Sequence, residues 1–403
     1  MRARSLATVS ATIVLLAAAA LRCSVPPRPP GPEAIATNQR LVAGAVVAVP
    51  AGATIDRAAL IASLQEMKLS AVIIQASADS SGESVADRVS LAVQLQGALG
   101  GNVFVGGYDA PAWNGKSMDA LLQSDASFTS CYPGGPALDA SASTIDKLRV
   151  CSQAVGQKVA DELSRVGASP RIGCYVTHQP ELTDTLSDTA KAKLHDFFAD
   201  ASSACAKANR VVGVAPVLPA QPGNPSRAAD LLRGAIDGSH ISLIVLEDGV
   251  AKAQPTVTRR ASAYYDALRV APGDGTLVTV WGNVEGFECA SDAGCDRTHP
   301  ASHVRFDDQV CGARGRVDGI MAYEYIHDLA GKPVFTGDLD ASADASSEAS
   351  TAAADLRAIV DDVDAAAQLR AGYLAWVDAG SSCVAAAADE ADAAAQADAA
   401  AAH

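Results

Sequence analysis

The chain has 403 residues, nine of them cysteine, and a formal charge of −15 at neutral pH. That length holds one large domain or two ordinary ones. The acidic balance excludes a nucleic-acid partner, which would need a basic face.

The N-terminus reads as an export signal, with Arg2 and Arg4 ahead of an apolar, alanine-rich run from Leu6 to Leu21. A signal peptide is therefore expected over 1–22, and the run is short for a membrane span. Cys23 follows at once, but Arg22 stands where a lipoprotein signal carries a small residue. Lipid attachment through Cys23, the one membrane contact expected, and an ordinary cleavage nearby both stay open. PPRPPGPEA makes 23–40 a linker. Without Cys23 the cysteines are even in number, which agrees with export and an extracellular, periplasmic or envelope-attached site. Cys289 with Cys295 is the first pairing expected and Cys131 with Cys151 the second. No CxxC spacing supports zinc.

Eight apolar strand-like runs follow in order: AVVAVP (45–50), AVIIQASA (71–78), VFVGGYDA (103–110), IGCYVTHQ (172–179), VVGVAPVLP (211–219), SLIVLEDGV (242–250), TLVTVWGNV (276–284) and GIMAYEYI (319–326). Helix-like segments lie between them. RAALIASLQEMK (57–68) sets Leu60, Ile61, Leu64 and Met67 on one stripe; 144–167, 226–237 and 258–270 are further examples. Strict alternation means parallel strands with crossover helices, and eight units predict a closed (β/α)8 TIM barrel over 41–337. No G-x-G-x-x-G follows the first strand, which excludes the usual dinucleotide-binding pattern. Residues 111–141 form an insertion after the third strand, expected to shape the mouth. Residues 338–380 read as a linker and a final helix that includes Tyr373, and 381–403 as a low-complexity, disordered Ala/Asp-rich tail.

Active sites of such barrels lie at the carboxyl ends of the strands. The polar residues here follow the apolar runs rather than precede them. Gln75 ends the second strand; Tyr108, Asp109 and Trp113 follow the third, and His178 and Glu181 the fourth. Glu247 and Asp248 end the sixth, Trp281, Asn283 and Glu285 the seventh, and Tyr323, Glu324 and Tyr325 the eighth. Strand alternation puts Thr279, Trp281, Asn283 and Glu285 on one face, so Glu285 is expected at the rim if Thr279 points inward. Hydrolysis of a glycosidic bond takes two carboxyl groups, and Glu181 is the first candidate for the second. Trp113 and Trp281 would stack on sugar rings. The other substrate-binding candidates are Gln75, Tyr108, Asp109, His178, Glu247, Asp248, Asn283, Tyr323 and Tyr325.

Carboxylates after strands four and seven resemble those of the TIM-barrel retaining glycosidases, in which these strands carry the acid/base and the nucleophile. That likeness implies Glu181 as acid/base and Glu285 as nucleophile. The Asn-Glu pair of that superfamily is missing, because Gln179-Pro180 precedes Glu181. A closer resemblance rests on LQEMKLSAVIIQASA (64–78), VFVGGYDAPAW (103–113), VAPVLP (214–219), LIVLEDGV (243–250), VTVWGNVEGFE (278–288) and the stretch Arg305–Gln309. Together these resemble a bacterial domain-of-unknown-function family with a glycosidase-like TIM barrel, over roughly residues 42–330. Glu247 departs from the family, which usually has glutamine there. The resemblance implies a polysaccharide-active or sugar-binding protein; a monomer acting on a polysaccharide or oligosaccharide, without cofactor or metal, is the expectation. A non-catalytic sugar-binding barrel is the second reading. A metal-dependent hydrolase using Asp109, Glu247 or Asp248 is the third, and no histidine cluster supports it.

Overall fold

The computed structural model describes residues 42–49, 54–76, 84–106, 117–124, 128–131, 137–176, 180–219, 223–250, 259–269, 278–289, 298–331, 334–336 and 363–378. They belong to the second of the two compact units into which the chain divides, 40–403. The segments expected to be the signal and the linker, the tail after 378 and part of the insertion after the third strand fall outside these residues.

Eight parallel strands close into a barrel: β1 (Val42–Val49), β2 (Ala71–Ala76), β3 (Asn102–Gly106), β4 (Ile172–Val176), β5 (Val212–Val214), β6 (Ile241–Glu247), β7 (Thr279–Glu285) and β8 (Gly319–Tyr323). Each strand pairs with the next in chain order, and β1 closes the ring by pairing with both β2 and β8. Eight principal helices complete the repeat: α1 (Arg57–Glu66), α2 (Val85–Leu99), α3 (Thr144–Arg165), α4 (Asp188–Lys207), α5 (Pro225–Ile236), α6 (Ser262–Arg269), α7 (His303–Ala313) and α8 (Val363–Asp378). The predicted (β/α)8 barrel is the fold observed.

The strand-to-helix turns carry their own signals. Asp56, Ser84, Ser143, Ser187, Asn224 and Ser302 each cap a helix by accepting the N–H three residues on. Such caps stabilise a helix by about 1 kcal/mol each and fix where the chain turns back from the mouth.

Alternation along the strands separates two apolar clusters. Val72, Ile74, Val103, Val105, Ile172, Ile244, Leu246, Val280 and Ile320 face the helices. Val46, Ile73, Phe104, Tyr175, Leu243, Val245, Trp281 and Met321 fill the barrel. Glycines make room for the largest of these. A Cβ on Gly319 would lie 2.9 Å from the Trp281 ring, and one on Gly173 2.8 Å from Phe104. The interior is therefore a packed plug below the mouth, as the architecture requires.

α8 seals the seam where the repeat begins again. Leu369 and Tyr373 are buried, and Arg370 donates to the Ser63 hydroxyl at 2.8 Å, the Ala330 carbonyl at 3.1 Å and Glu66 at 2.6 Å. The expected final helix is present, starting at Val363; Leu356, Ile359 and Val360, which would have extended it, lie outside the described residues. In the insertion, a helical turn at Met118–Leu122 and a bridge between Ser130 and Ala137 are described.

Cys131 pairs with Cys151, as expected, and ties the insertion to α3. Cys174 pairs with Cys205 and ties β4 to α4. Cys289 and Cys311 are also disulfide-bonded, while Cys295 lies outside the described residues. These bonds suit an oxidising compartment, and no helix among the described residues is long and apolar enough to cross a membrane. The Cys174–Cys205 bond closes a segment of 31 residues. Replacing both cysteines with alanine is expected to cost about 3–4 kcal/mol, from the entropy returned to the unfolded chain. Chemical denaturation of the double variant against the parent checks this.

Candidate functional site at the carboxyl ends of the strands

Backbone pairing continues past the ends of β4 and β5. Glu181 pairs with Val217, and Val217 pairs with Glu247. Glu247 is the register partner of Asn283, which is in turn the partner of Met321. Register partners in a parallel sheet point the same way, and Met321 belongs to the barrel interior. Glu181, Glu247 and Asn283 thus lie on one register line on the interior face, just above the apolar plug. Glu181 and Glu247 are two strand spacings apart, on the order of 10 Å along the sheet.

Asn283 is the most telling member. It is 1% exposed, and neither its Oδ1 nor its Nδ2 has a hydrogen-bond partner among the described residues. An amide left so costs about 1–3 kcal/mol. Glu247, 3% exposed, stands beside it, and its backbone is fixed by Pro216 and Leu218. Gln75 is buried on the opposite wall, in the parity of Ala71 and Ile73 and in register with Ala48. Glu181 is half-buried, and the water it loses pushes its carboxyl above the usual range.

Glu285 sits one pleat nearer the rim than Asn283, in register with Tyr323, and is 0% exposed. The strand end that carries it is anchored from α7. Arg305 Nη2 donates to the Glu285 carbonyl at 3.1 Å and to the Phe287 carbonyl, and Nε meets Glu288 at 3.0 Å. Tyr323 is half-buried and packs edge-on against Phe287, with centroids 6.1 Å apart.

Three expected site residues are placed elsewhere. Trp281 is two residues below Asn283 and packs edge-to-face on Phe104 at 5.6 Å, so it is part of the plug and offers no face to a sugar. Tyr325 does not share the face of Tyr323. The strand ends at Tyr323, and a π-helical turn, Tyr325–Leu329, carries the phenol out to the Ser63 hydroxyl at 2.7 Å, between α1 and α8. Asp248 follows Glu247 with opposite parity, and its Oδ2 accepts from Gln309 Nε2 of α7 at 2.6 Å, away from the register line. Burial, then the charge of Glu285, pushes the Asp248 carboxyl up to about 7, against the pull of Gln309, the Val250 N–H and Arg305. Tyr108, Asp109, Trp113 and His178 lie outside the described residues.

Sequence reasoning gave no role to Arg260, Tyr265, Arg305 or Gln309, although all four are buried around Asp248 and Glu285. The available signal was a pair of polar residues one turn apart, Arg305 and Gln309, on the helix face that should have been apolar. Among the described residues no group of His, Cys, Asp and Glu is arranged to hold a metal ion.

The fold and the site define a (β/α)8 barrel whose mouth is lined by carboxyl groups and amides. No family model matches the sequence, and no curated protein matches it. Solved structures do resemble it. The glycoside hydrolase domain of PgaB (BpsB) from Bordetella bronchiseptica has a TM-score of 0.39 at 13% identity, over 71% of this chain and 94% of that one. A GH18 chitinase from Pseudoalteromonas aurantia has a TM-score of 0.40 at 10% identity, over 69% and 93%. The carboxyl transferase domain of Rhizobium etli pyruvate carboxylase has a TM-score of 0.40 at 12% identity, over 85% of this chain and 50% of that one. This chain therefore spans about half the length of that protein. Likeness at this level extends across unrelated chemistries on one architecture, so the functional argument stays with the site.

Proposed function

We propose that the protein hydrolyses glycosidic bonds of a polysaccharide at the barrel mouth. The observation that carries the reading is the register line that sets Glu181, Glu247 and Asn283 on the interior face, with Glu285 one pleat above. Glu181 serves as proton donor. Its partial burial favours the protonated form, which a general acid needs near neutral pH. Glu285 serves as nucleophile. It stands three strands from Glu181 in a ring of eight, nearly across the mouth, where a carboxylate faces the far side of a sugar held between them. Asn283 and Gln75 supply amides that sugar hydroxyls can satisfy, and Glu247 accepts from a further hydroxyl. Attack by Glu285 at the anomeric carbon expels the leaving oxygen as Glu181 protonates it. Glu181 then deprotonates the water that releases the product, with net retention of configuration.

The complete burial of Glu285 favours a second reading, a barrel that binds sugar without cleaving it, because substrate has to uncover the nucleophile before it can react. Release of reducing ends from a panel of polysaccharides, by the parent and by Glu181→Gln, separates the two. Hydrolysis predicts a loss of about 10²–10⁴-fold in kcat in the variant. The loss shrinks on an aryl glycoside whose leaving group needs no proton. Binding without any release of reducing ends by the parent overturns the hydrolase reading.

A further inference from the structure

Register fixes depth as well as face. In a closed barrel of eight strands, alternate strands each give one side chain to a layer. Because the strands are staggered, each second strand enters the layer two residues beyond its register partner. One layer checks the rule. Trp281 is in register with Gly319 and, through it, with Val42; two residues on is Gly44. The same step leads from Gly44, by way of Ala71 and Asn102, to Phe104. Phe104 and Trp281 should therefore meet across the barrel, and they do, edge to face at 5.6 Å.

The next layer up is Ile73, Tyr175, Val245 and Met321, and the one above it Val46, Gly106, Ala215 and Asn283. Gln75, Glu247 and Tyr323 share the layer over Asn283, whose fourth position, 177, lies outside the described residues. Asn283 thus has a bulky apolar floor and a polar roof. Its own layer is thinly filled, since Gly106 has no side chain, Ala215 a single methyl and Val46 a short branch. Tyr175 leans to the layer below, where a Cβ on Gly213 would come within 3.1 Å of its ring. Room therefore remains on the barrel axis beside an amide that is 1% exposed and has neither polar atom hydrogen-bonded among the described residues. The chemistry of that amide selects its occupant. Oδ1 accepts and Nδ2 donates, side by side on one carbon. A carboxylate only accepts, and it would enter a mouth that already holds Glu247 and Glu285. An ammonium only donates. An N-acetyl group has a trans amide, which turns its N–H and C=O to opposite sides. Each of these leaves one atom of Asn283 unmet. Two hydroxyls on adjacent carbons meet both, one donating to Oδ1 while the other accepts from Nδ2.

We infer that Asn283 binds a vicinal pair of sugar hydroxyls, so that the substrate is a neutral polysaccharide with free hydroxyls on the two carbons next to the anomeric one. This deepens the hydrolase reading and rests on it for the place of the anomeric carbon at Glu285. Glu285 stands two residues beyond Asn283 on the same face of β7, about 6.6 Å along the strand, a distance that one sugar ring spans. Chains joined through the fourth or sixth oxygen of each unit keep that hydroxyl pair. Chains joined through the second or third oxygen, and chains with an N-acetyl group on the second carbon, do not.

The test has two arms, both on the full chain and both read without turnover. Leucine has nearly the shape of asparagine and removes an unmet amide, so Asn283→Leu without sugar should be at least as stable as the parent in urea. A loss of stability means that the amide is paired within the fold, and overturns the inference. In the second arm, methyl glycosides of glucose, mannose and xylose are titrated into the ¹⁵N-labelled chain. The side-chain amide signals that are missing from the Asn283→Leu spectrum should move. Followed through its backbone signals, the leucine variant should bind the same glycosides roughly 10–100-fold more weakly, the loss of two neutral hydrogen bonds. A glucoside without the hydroxyl next to the anomeric carbon, and its N-acetylamino counterpart, should leave the amide signals in place. Equal movement with these two, or no movement with any glycoside, overturns the inference. Should diol-selective binding be found while no polysaccharide is cleaved, only the hydrolase reading falls. Should cleavage be found without diol selectivity, only the assignment of Asn283 falls.

Discussion

Glu285→Gln is expected to lose roughly 10⁴-fold or more in kcat, the scale on which loss of a catalytic nucleophile acts, while folding as the parent does. The amide keeps the shape of the side chain and cannot attack an anomeric carbon. Stability should move the other way at neutral pH. In the folded chain Asp248 titrates at about 7 instead of the ordinary 3.8, and the charge on Glu285 is one cause. An unfolded chain releases that proton near 4, whereas the folded chain keeps it to about 7, so the folded state binds more protons in between. Stability contributed by this group is complete below the lower value, falls as pH rises through the window and stays low above it. Removing the Glu285 charge shortens the window from above and makes the decline shallower. The variant should therefore be inactive and at least as stable as the parent above the window. Urea denaturation at about pH 5, within the window, and at about pH 8, above it, reads the change. A Glu285→Gln variant that is less stable than the parent at the higher pH would mean that the charge is held in a favourable pairing, and the repulsion argument would fail.

How much of this was legible in the sequence differs between the fold and the site. The eight strands stand out because barrel strands are buried on both faces and read as short runs rich in Val and Ile. The same burial hides three helices that were not among those named: α2, α4 and α7. α4, DTAKAKLHDFFADASSACAK, buries Ala190, Ala201 and Ala204 beside its two phenylalanines, so its core face contrasts little with the rest. α7 buries Arg305 and Gln309 on the face that meets the barrel, which breaks the apolar stripe that would have marked it. What obscured α7 is the polar network that holds Asp248 and Glu285.

At the mouth, parity was legible and depth was not. The spacing of Trp281, Asn283 and Glu285 puts them on one face, and register confirms a shared face for Trp281 and Asn283. How far each stands from the rim depends on the pairing of neighbouring strands, which no single strand encodes. Trp281 is therefore part of the plug, although alternation alone would allow it at the mouth. Tyr325 shows the limit of parity itself, which ends where the strand ends. Asp248 was read with Glu247 because the two are adjacent, yet adjacent residues of a strand point to opposite sides, and its side chain goes to Gln309 of α7.

Arg305→Leu is expected to destabilise the fold by about 2–6 kcal/mol, because two buried carbonyls each lose a charged donor at about 1–3 kcal/mol. The residue is 8% exposed and makes three separate attachments, to the Glu285 carbonyl, the Phe287 carbonyl and the Glu288 carboxylate. Leucine fills part of the volume and meets none of them. Two carbonyls lose their side-chain donor, and Glu288, which also accepts from the Ser302 N–H at 3.2 Å, loses its cation. Glu288→Gln is the informative companion. It removes the ion pair but keeps an acceptor for the guanidinium, and Glu288 is 30% exposed at the side chain, so its loss should be within about 1 kcal/mol. If the two variants lose equal stability, the ion pair carries the anchor and the carbonyl contacts add little. If the leucine variant loses several times more, the guanidinium acts chiefly as a backbone clamp on the end of β7. In that case Arg305→Lys should recover little, because one ammonium cannot reproduce the spacing of Nε and Nη2 across three oxygen atoms. The clamp reading joins stability to the site. The strand end that Arg305 holds carries Glu285, so the lysine variant should also lower kcat on any polysaccharide the parent cleaves, even where it remains folded.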